Sequence, residues 1–292
     1  MKLKIVIVAL LGCLLPACRP APAVSPIAVK RVVALLPNLT RIVVELGAGD
    51  RLVGYSRYSK IPGLPPTAVD VGGALDPNYE LIISLQPDLI LLQDTQKDQR
   101  AKLENMGLRV LAVPLFTIRD VLGAIKTIGA KLERSPAADQ LTSRLQQDLE
   151  RLKQRWAGEP PVRTMLVIGH EPGALRDIYL AAPGSFLDEL LKIAGGENVL
   201  RESLMPYPKI NKETIMQFNP QVILVLAPGQ DDSPAALDHE RRLWSELPYL
   251  EAVKTGRVYL LTDWDILTPD PRMTQITEAF SGFLHPEKGQ SL

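Results

Sequence analysis

Residues 78–92 read NYELIISLQPDLILL, and residues 211–225 read NKETIMQFNPQVILV. The two segments keep a constant separation of 133 residues and are identical at six positions. The identical pairs are Asn78 and Asn211, Glu80 and Glu213, Ile82 and Ile215, Pro87 and Pro220, Ile90 and Ile223, and Leu91 and Leu224. Each copy predicts a short helix with an asparagine near its start, a turn that contains proline, and then an apolar strand. The chain therefore contains one α/β unit twice.

Two weaker similarities support this duplication. Residues 46–50 and 193–197 align at a separation of 147 residues, and each closes a predicted helix before the chain turns. Residues 107–110 and 256–259 each lead into a predicted strand. Two copies are too few for a solenoid, whose repeat is also much shorter. We therefore predict an α/β fold with two similar lobes, each with a largely parallel sheet flanked by helices.

The first lobe is predicted to begin with a strand and a helix. Residues 31–36 form a short aliphatic and β-branched run that ends at a proline, as in a buried strand. Residues 39–46 have a helical pattern, which the glycines at 47 and 49 close.

The longest helical pattern, at residues 136–156, lies between the two copies. Ser135 stands where it can cap this helix, and Pro136 suits its first turn. Apolar residues recur along it at helical spacing, namely Leu141, Leu145, Leu149 and Leu152. A helix of this length is a rod of about 31 Å, the width of a small domain. We predict that it joins the lobes as a single long interdomain helix and restrains hinge motion.

The composition allows a large core and excludes one class of partner. Of the 292 residues, 46% are hydrophobic, which supports one large or two ordinary domains. The chain has 33 basic and 33 acidic side chains, so it carries no electrostatic footprint for nucleic acid.

We predict lobes at residues 30–117 and 158–285, a helical connection at 118–157, and a tail at 286–292.

The first residues have the features of an export signal. Lys2 and Lys4 precede an apolar run at residues 5–15, which is far shorter than the about 20 residues needed to span a bilayer. We predict a cleaved signal peptide at residues 1–17, and a location in the periplasm or on the outer face of a bacterial membrane. Residues 18–29 are rich in proline and lack periodicity, as in an extended tether.

Both cysteines of the chain, Cys13 and Cys18, lie in this leader. The folded part is therefore predicted to form no disulfide and no thiolate metal site. A cysteine that ends an apolar run resembles the bacterial lipobox, in which the cysteine is acylated and becomes the mature N-terminus. We predict that Cys18 is lipidated and attaches the protein to a membrane. Acylation at Cys13 and an ordinary signal peptide are the alternatives.

The sequence contains none of the common catalytic motifs. It has no phosphate-binding glycine loop and no serine elbow. Its histidines, His170, His239 and His285, lie far apart, and the Pro-Gly turn after His170 prevents a zinc-protease helix. We predict no catalytic residue and no dedicated metal site, so His170 is expected to be a turn residue. The alternative, a two-lobed enzyme, requires a perturbed acid, base or nucleophile in the cleft.

Aromatic side chains stand beside several predicted turns, namely Tyr58, Tyr179, Tyr207 and Trp264. Loops that leave the strand ends of an α/β sheet are where ligands bind. A tyrosine or tryptophan there offers an apolar face with a polar tip. We predict that these residues, with Asn38 after the first strand, contact a ligand. The alternative is that each ring covers the core of its own lobe.

Several segments together resemble the class III, or helical-backbone, periplasmic binding proteins of ABC importers. They are residues 31–58, 71–92, 136–156, 182–200 and 207–225. The resemblance implies a cleft between the lobes, little closure on binding, and a metal complex as ligand: cobalamin, haem or a ferric siderophore. It also implies that a monomer delivers this ligand to an ABC permease and its ATPase. A sensor or scaffold lipoprotein with the same fold is the alternative.

The resemblance also implies a docking role for two carboxylates. In this family one acidic residue of each lobe docks on arginines of the permease, and the matching residues are Glu80 and Glu213. The alternative for both is a carboxylate in the first turn of a helix, which stabilises that helix by about 0.3–1 kcal/mol.

The resemblance is greatest to the members that bind cobalamin. Their cleft aromatics and an acidic contact in the last loop correspond to Tyr58, Tyr179, Tyr207 and Asp263. Aliphatic and amide side chains replace the tryptophans expected on the N-terminal wall, at Ala74 or Leu75 and at Gln93. A haem or ferric-siderophore binder, in which Tyr58 ligates iron, is the alternative.

Overall fold

The computed structural model describes residues 28–59, 61–263 and 265–287. The predicted signal peptide, Cys18 and Trp264 lie outside these ranges. Within them the chain forms two β-sheets, each flanked by helices. No helix in these ranges is both long enough and apolar enough to cross a membrane.

The first sheet contains β1 (Val32–Ala34), β2 (Leu52–Tyr55), β3 (Val69–Asp70), β4 (Leu89–Gln93) and β5 (Val110–Val113). These strands pair in parallel, in the order β3-β2-β1-β4-β5. Alternate side chains of β1 and β4 enter two different apolar clusters, one on each face of the sheet. A sheet that is buried on both faces requires continuous apolar strands, which explains why these segments lack polar alternation.

The helices of the first lobe are α1 (Pro37–Glu45), α2 (Tyr79–Ser84) and α3 (Lys97–Asn105). β1 is shorter than the strand predicted at residues 31–36, and α1 begins before the predicted residue 39. The earlier start of α1 comes from Pro37, which occupies the first position of the helix. Proline suits that position because its φ is already helical and its missing N–H has no partner there.

Two helices connect the sheets, namely α4 (Ile118–Lys131) and α5 (Ser135–Arg155). α5 starts and ends one residue before the predicted range, and its four predicted leucines are buried. The prediction that Ser135 caps α5 is wrong, because Ser135 is already helical and Arg134 precedes the helix without a side-chain cap. The cause is a tight reversal after α4. Glu133 has a φ of +55°, and the Arg134 N–H donates to the Gly129 carbonyl oxygen at 2.7 Å.

The second sheet contains β6 (Val162–Gly169), β7 (Ile178–Leu180), β8 (Gly196–Asn198), β9 (Lys209–Ile210), β10 (Val222–Leu226) and β11 (Val258–Leu261). Its order is β11-β10-β6-β7-β9, and β8 pairs with the first half of β6. β7 runs antiparallel to both of its neighbours. The helices of this lobe are α6 (Phe186–Ile193), α7 (Lys212–Phe218), α8 (Pro234–Trp244), α9 (Glu251–Lys254) and α10 (Met273–Leu284). The predicted fold class is confirmed.

One apolar core, called the shared core below, continues from the first lobe into the second. Its buried members include Leu39 and Ile42 of α1, Leu145 of α5, and Met273 and Phe280 of α10. A backbone hydrogen bond of 2.8 Å from the Phe186 N–H to the Phe116 carbonyl oxygen also links the lobes. These contacts oppose separation of the lobes, because opening them exposes apolar surface to water.

Candidate binding site between the lobes

Several predicted site residues lie at the carboxyl edge of the first sheet. Asn38 follows β1, Tyr58 follows β2 and Gln93 ends β4. Parallel strands bring their carboxyl ends to one edge, where α/β proteins bind ligands. Asn38 is buried, and its Oδ1 accepts a hydrogen bond from the Leu39 N–H at 2.9 Å. Its oxygen is therefore used at the start of α1, which leaves only its amide nitrogen for a ligand, whereas Tyr58 is 52% exposed.

A tight loop at residues 72–77 lies beside Tyr58. Gly72 has a φ of +100°. A Cβ atom on Gly73 would lie 2.3 Å from Asp76 Oδ1 and 3.7 Å from Tyr58 Cε2. Glycine is required at position 72 by the backbone conformation, whereas a side chain at position 73 would displace the Asp76 carboxylate. The absence of a side chain at Gly73 lets the loop close beside the tyrosine ring.

The tip of this loop is aliphatic and exposed. Leu75 is 95% exposed. Two glutamines from the start of α3 support the loop, because Gln96 and Gln99 both donate to the Ala74 carbonyl oxygen. The first lobe therefore presents a tyrosine and an aliphatic tip, with amide groups behind them.

In the second lobe, Tyr179 and Tyr207 lie on the same face of the sheet. Antiparallel pairing continues on the N-terminal side of β9, because the Leu180 N–H donates to the Pro208 carbonyl oxygen and the Ala182 N–H to that of Pro206, both at 3.1 Å. This register places Tyr207 opposite Ala181. Directly opposite residues point to one face, and alternate residues of a strand share a face. Both tyrosines therefore point to the side of Ala181.

That side of the sheet is the one on which the shared core lies. Ala181 belongs to the shared core, whereas Ile178 and Leu180 belong to a separate cluster on the opposite face. Tyr179 is 40% exposed and Tyr207 is 48% exposed, so the rings border the core without filling it. Partial burial raises the pKa of Tyr207 above its ordinary value, so its hydroxyl, already protonated at neutral pH, can donate.

A largely buried ion cluster joins the two lobes and consists of Arg41, Asp263, Asp265, Asp270 and Arg272. Arg41 of α1 contacts Asp265 Oδ2 through Nη2 at 2.8 Å and Asp270 Oδ2 through Nε at 2.9 Å. Arg272 contacts Asp265 at 2.9 Å, Asp270 at 3.4 Å and Asp263 at 3.4 Å. The N–H groups at Arg41 Nε and Arg272 Nη2 lack hydrogen-bond geometry toward these oxygens, so those contacts are ionic.

Four members of the ion cluster, all except Asp270, line an open cavity of about 880 Å³ between the lobes. Glu45 and Pro62 line it from the first lobe, and Gln230 and Asp232 line it from the second. Burial raises the pKa of Asp270 to about 7, although the Arg272 N–H and Arg41 oppose the rise. Asp263, a predicted ligand contact, lies in this cavity and is exposed. Sequence reasoning missed the other members of the ion cluster, since nothing local marks them.

His170 has a role that the sequence did not indicate. It follows β6, as expected for a residue before a turn, but its Nε2 lies 3.0 Å from Glu240 Oε1. Glu240 of α8 also accepts a hydrogen bond of 2.7 Å from Trp244 Nε1. The hydrogen bond to Glu240 raises the pKa of His170 against the effect of burial. The pair ties the β6–β7 loop, which leads to Tyr179, to α8.

Glu80 and Glu213 occupy equivalent positions in the two lobes. Each is the second residue of its helix, after an asparagine that caps the helix with its side chain. Asn78 accepts from the Leu81 N–H at 3.0 Å, and Asn211 makes the equivalent bond at 2.8 Å. Both glutamates are exposed, and neither carboxylate has a hydrogen-bond or ion-pair partner in the described part of the chain. They remain available to a partner.

A periplasmic binding protein family model matches residues 32–263. The chain belongs to this family. This binding protein is 26% identical over 281 residues to the vitamin B12-binding protein of Vibrio cholerae, across 95% of the chain and 97% of that protein. A crystal structure of the periplasmic vitamin B12 binding protein of Vibrio cholerae matches with a TM-score of 0.73 and 26% identity, across 90% of the chain and 99% of that structure.

Two other solved structures share the fold of this binding protein. An ABC transporter substrate-binding protein from Listeria monocytogenes has a TM-score of 0.76 at 26% identity, across 88% of this chain and 99% of its own. A periplasmic heme binding protein from Pseudomonas aeruginosa has a TM-score of 0.76 at 22% identity, across 88% of this chain and 93% of its own. The predicted family is confirmed, and membership of it confirms that the chain is a binding protein and not an enzyme.

Proposed function

We propose that this binding protein captures a corrinoid between its lobes and delivers it to the permease and ATPase of an ABC importer. The likeness to the vitamin B12-binding protein of Vibrio cholerae, which extends over 95% of the chain, carries the choice of ligand. The protein is proposed to work as an extracytoplasmic monomer, with the whole ligand held in one cleft between its two lobes.

The walls of the cleft suit a large ligand with apolar faces. Tyr58 of the first lobe, and Tyr179 and Tyr207 of the second, offer ring faces on which a corrin packs. Exposed apolar side chains at Leu75 in the first lobe, and at Leu204 and Met205 in the second, are proposed to extend these walls. An exposed apolar patch of this kind is typical of a binding surface.

The polar end of the cleft suits the amide groups at the edge of a corrinoid. Asp263 is exposed beside the ion cluster, and its carboxylate accepts hydrogen bonds from amide N–H groups. Trp264 follows it and is proposed as a further ring contact. Asn38 is proposed to bind through its amide group, since its Oδ1 already accepts from the chain and its nitrogen still has donors.

Haem is the second candidate ligand, and Tyr58 is the observation that favours it. A tyrosine hydroxyl is one of the protein groups that ligate haem iron. Tyr58 is 52% exposed at the carboxyl edge of the first sheet, so its hydroxyl is open to a bound group. A ferric siderophore belongs to the same alternative, since it also presents iron.

Titration with each candidate tests the proposal. Purified protein is titrated with cyanocobalamin, haemin and a ferric hydroxamate siderophore, and binding is followed by absorbance and calorimetry. We expect saturable 1:1 binding of cyanocobalamin with little change in the haemin spectrum. Tight haemin binding that is lost in Tyr58→Phe, with no cyanocobalamin binding, would establish the second candidate. Binding of none of the three contradicts both.

Delivery to a permease is proposed to depend on Glu80 and Glu213. The permease of an importer is assembled around an approximate two-fold axis, so equivalent carboxylates on two lobes meet equivalent basic side chains. Charge-assisted pairs of this kind fix the orientation of docking. The absence of any partner for either carboxylate in the described part of the chain supports this role.

Attachment to the membrane is proposed through a lipid on Cys18. The cysteine ends the apolar run of the leader, and the proline-rich residues after it provide a tether. The mass of the protein extracted from membranes checks this: a diacylglyceryl group on a chain that begins at residue 18 is expected. A chain that begins elsewhere and carries no lipid contradicts it.

A further inference from the structure

Glu80 and Glu213 lie on helices that are too short to hold their positions alone. α2 and α7, called the docking helices below, have 6 and 7 residues. Isolated helices shorter than about 12 residues are marginal in water. Each docking helix fully buries a single isoleucine among the described residues, Ile82 or Ile215. The position of each glutamate therefore depends on contacts at the helix ends.

An arginine holds the carboxyl-terminal end of each docking helix. Arg31 donates from Nη2 and Nε to the Leu85 carbonyl oxygen, at 2.6 and 3.0 Å. Arg163 donates from Nη2 to the Phe218 carbonyl oxygen at 2.5 Å and also to that of Asn219. The last carbonyl groups of a helix have no partner within it, and a cation there also opposes the negative end of the helix dipole.

The same construction fixes each arginine to the turn that follows its docking helix. The Asp88 N–H donates to the Arg31 carbonyl oxygen at 2.8 Å, and the Asp88 carboxylate accepts the Arg31 N–H at 2.9 Å. Gln221 forms the same two bonds with Arg163, at 2.8 and 3.0 Å. The arginines are separated by 132 residues, whereas the docking helices are separated by 133. A direct alignment of the duplicated segments therefore does not reveal the arginines as a pair.

We propose that Arg31 and Arg163 are positioning residues, which hold the Glu80 and Glu213 carboxylates at the spacing that the permease requires. The proposal rests on the docking role proposed above. Each arginine acts on the end of the helix opposite to the glutamate, so its effect passes through the helix. Loss of an arginine leaves carbonyl groups at the helix end without a protein donor and allows the helix to shift or fray.

The test replaces both arginines with methionine, R31M and R163M, which keeps the aliphatic stem and removes the donors. Matched controls are R51M and R257M, because Arg51 donates to the Leu132 carbonyl oxygen after α4 and Arg257 to that of Leu284 in α10. Binding to the purified permease–ATPase complex in nanodiscs is measured at low and high salt. Affinity for cyanocobalamin, or for haemin if the titration above selects it, is measured in parallel.

We expect docking affinity of the R31M/R163M protein to fall about tenfold, as for lost charge-assisted hydrogen bonds, with its ligand affinity unchanged. The R31K/R163K protein should recover part of the loss, since lysine donates to a carbonyl without the fork of arginine. The controls should dock normally. Normal docking by R31M/R163M, an equal loss in the controls, or a parallel loss of ligand affinity overturns the proposal.

A second variant separates this proposal from the docking role itself. If E80Q/E213Q docks normally, the docking role fails and the positioning role fails with it. If E80Q/E213Q loses docking while R31M/R163M keeps it, the positioning role alone fails. If the methionine variant does not fold, the distance between two nitroxide labels tests the proposal instead. The labels are placed at Glu80→Cys and Glu213→Cys, in a chain that also carries Cys13→Ser and Cys18→Ser. R31K/R163K should broaden the distance distribution more than R51K/R257K, and equal widths overturn the proposal.

Discussion

Arg41 and Asp265 lie 224 residues apart in the chain and meet at 2.8 Å between the lobes. Arg41 belongs to α1 of the first lobe, and Asp265 follows β11 of the second. The two side chains are 10% and 9% exposed, so salt in solution screens their interaction weakly. Such a pair depends on both partners, because a buried charge without its partner is costly. The pair therefore stabilises the contact between the lobes.

Arg41→Met tests how much this ion pair stabilises the protein. The substitution leaves Asp265 and Asp270 with Arg272 as their remaining cation, and we expect the free energy of unfolding to fall by about 3 kcal/mol. Urea unfolding followed by circular dichroism measures the change. Arg144→Met is the matched control, because Arg144 pairs with Glu45 at 3.9 Å on an exposed surface. The control is expected to lower the free energy of unfolding by about 0.5 kcal/mol or less. Equal losses in the two variants would show that the Arg41 ion pair stabilises the protein no more than a surface pair.

Asp270 should make the stability of the protein depend on pH. Burial raises its pKa from 3.8 to about 7 in the folded state. A folded state that binds the proton more tightly gains stability that is fully present below about pH 4 and is lost as the pH rises through about 7. The gain is bounded by about 4 kcal/mol, at about 1.4 kcal/mol for each pH unit.

Asp270→Asn removes this titration and is the variant that checks it. The difference in unfolding free energy between the natural protein and the variant should change steadily between pH 4 and pH 7. The natural protein should become less stable relative to the variant as the pH rises. Denaturant titrations at several pH values measure the difference. A difference that stays constant over this range shows that Asp270 does not titrate there.

Tyr207→Ala should weaken binding of the ligand by about 1–3 kcal/mol, because the ring is proposed to pack on the ligand face. Tyr207→Phe should recover most of the loss if ring packing dominates, and little if the hydroxyl donates a hydrogen bond. Calorimetric titration measures affinity, and thermal unfolding checks the fold. Tyr249→Ala is the control, since Tyr249 is 79% exposed outside the cleft. Unchanged affinity with a lowered melting temperature would make Tyr207 a residue of the core.

Glu80→Ala combined with Glu213→Ala should abolish delivery while leaving ligand affinity intact. Stability should fall by no more than about 1 kcal/mol per site, the value of a carboxylate near a helix start. Stimulation of the transporter ATPase in proteoliposomes measures delivery. Asp98→Ala is the matched control, because Asp98 is an exposed carboxylate in the first turn of α3. Normal stimulation by the double variant would leave the glutamates as helix-start residues.

The fold class was predicted from two kinds of local pattern. The duplicated segments predicted α2 with β4 and α7 with β10, each with its asparagine cap. The spacing of leucines predicted α5 and the side of it that is buried. Ser135 was the error, because a left-handed residue at Glu133 starts the helix early. That conformation depends on the packing of α4 against α5 and leaves no clear mark in the sequence.

The candidate site was predicted in part. Tyr58, Tyr179 and Tyr207 were recognised beside turns, but the side of the sheet toward which the last two point was not. That side is set by pairing that continues on the N-terminal side of β9, through the carbonyl oxygens of Pro206 and Pro208. A shift of one residue in this register would turn Tyr207 to the opposite face.

By itself, the sequence determined the duplication of one α/β unit, the helix and strand within each copy, and the length of α5. These features depend on residues within a few positions of one another, so hydrophobic spacing and capping residues record them. Only the tertiary structure decided that Arg41 contacts Asp265, that His170 pairs with Glu240, and that Arg31 donates to the carboxyl-terminal end of α2. These partners are distant along the chain and follow no period, so their pairing exists only once the strands have assembled and the lobes have packed.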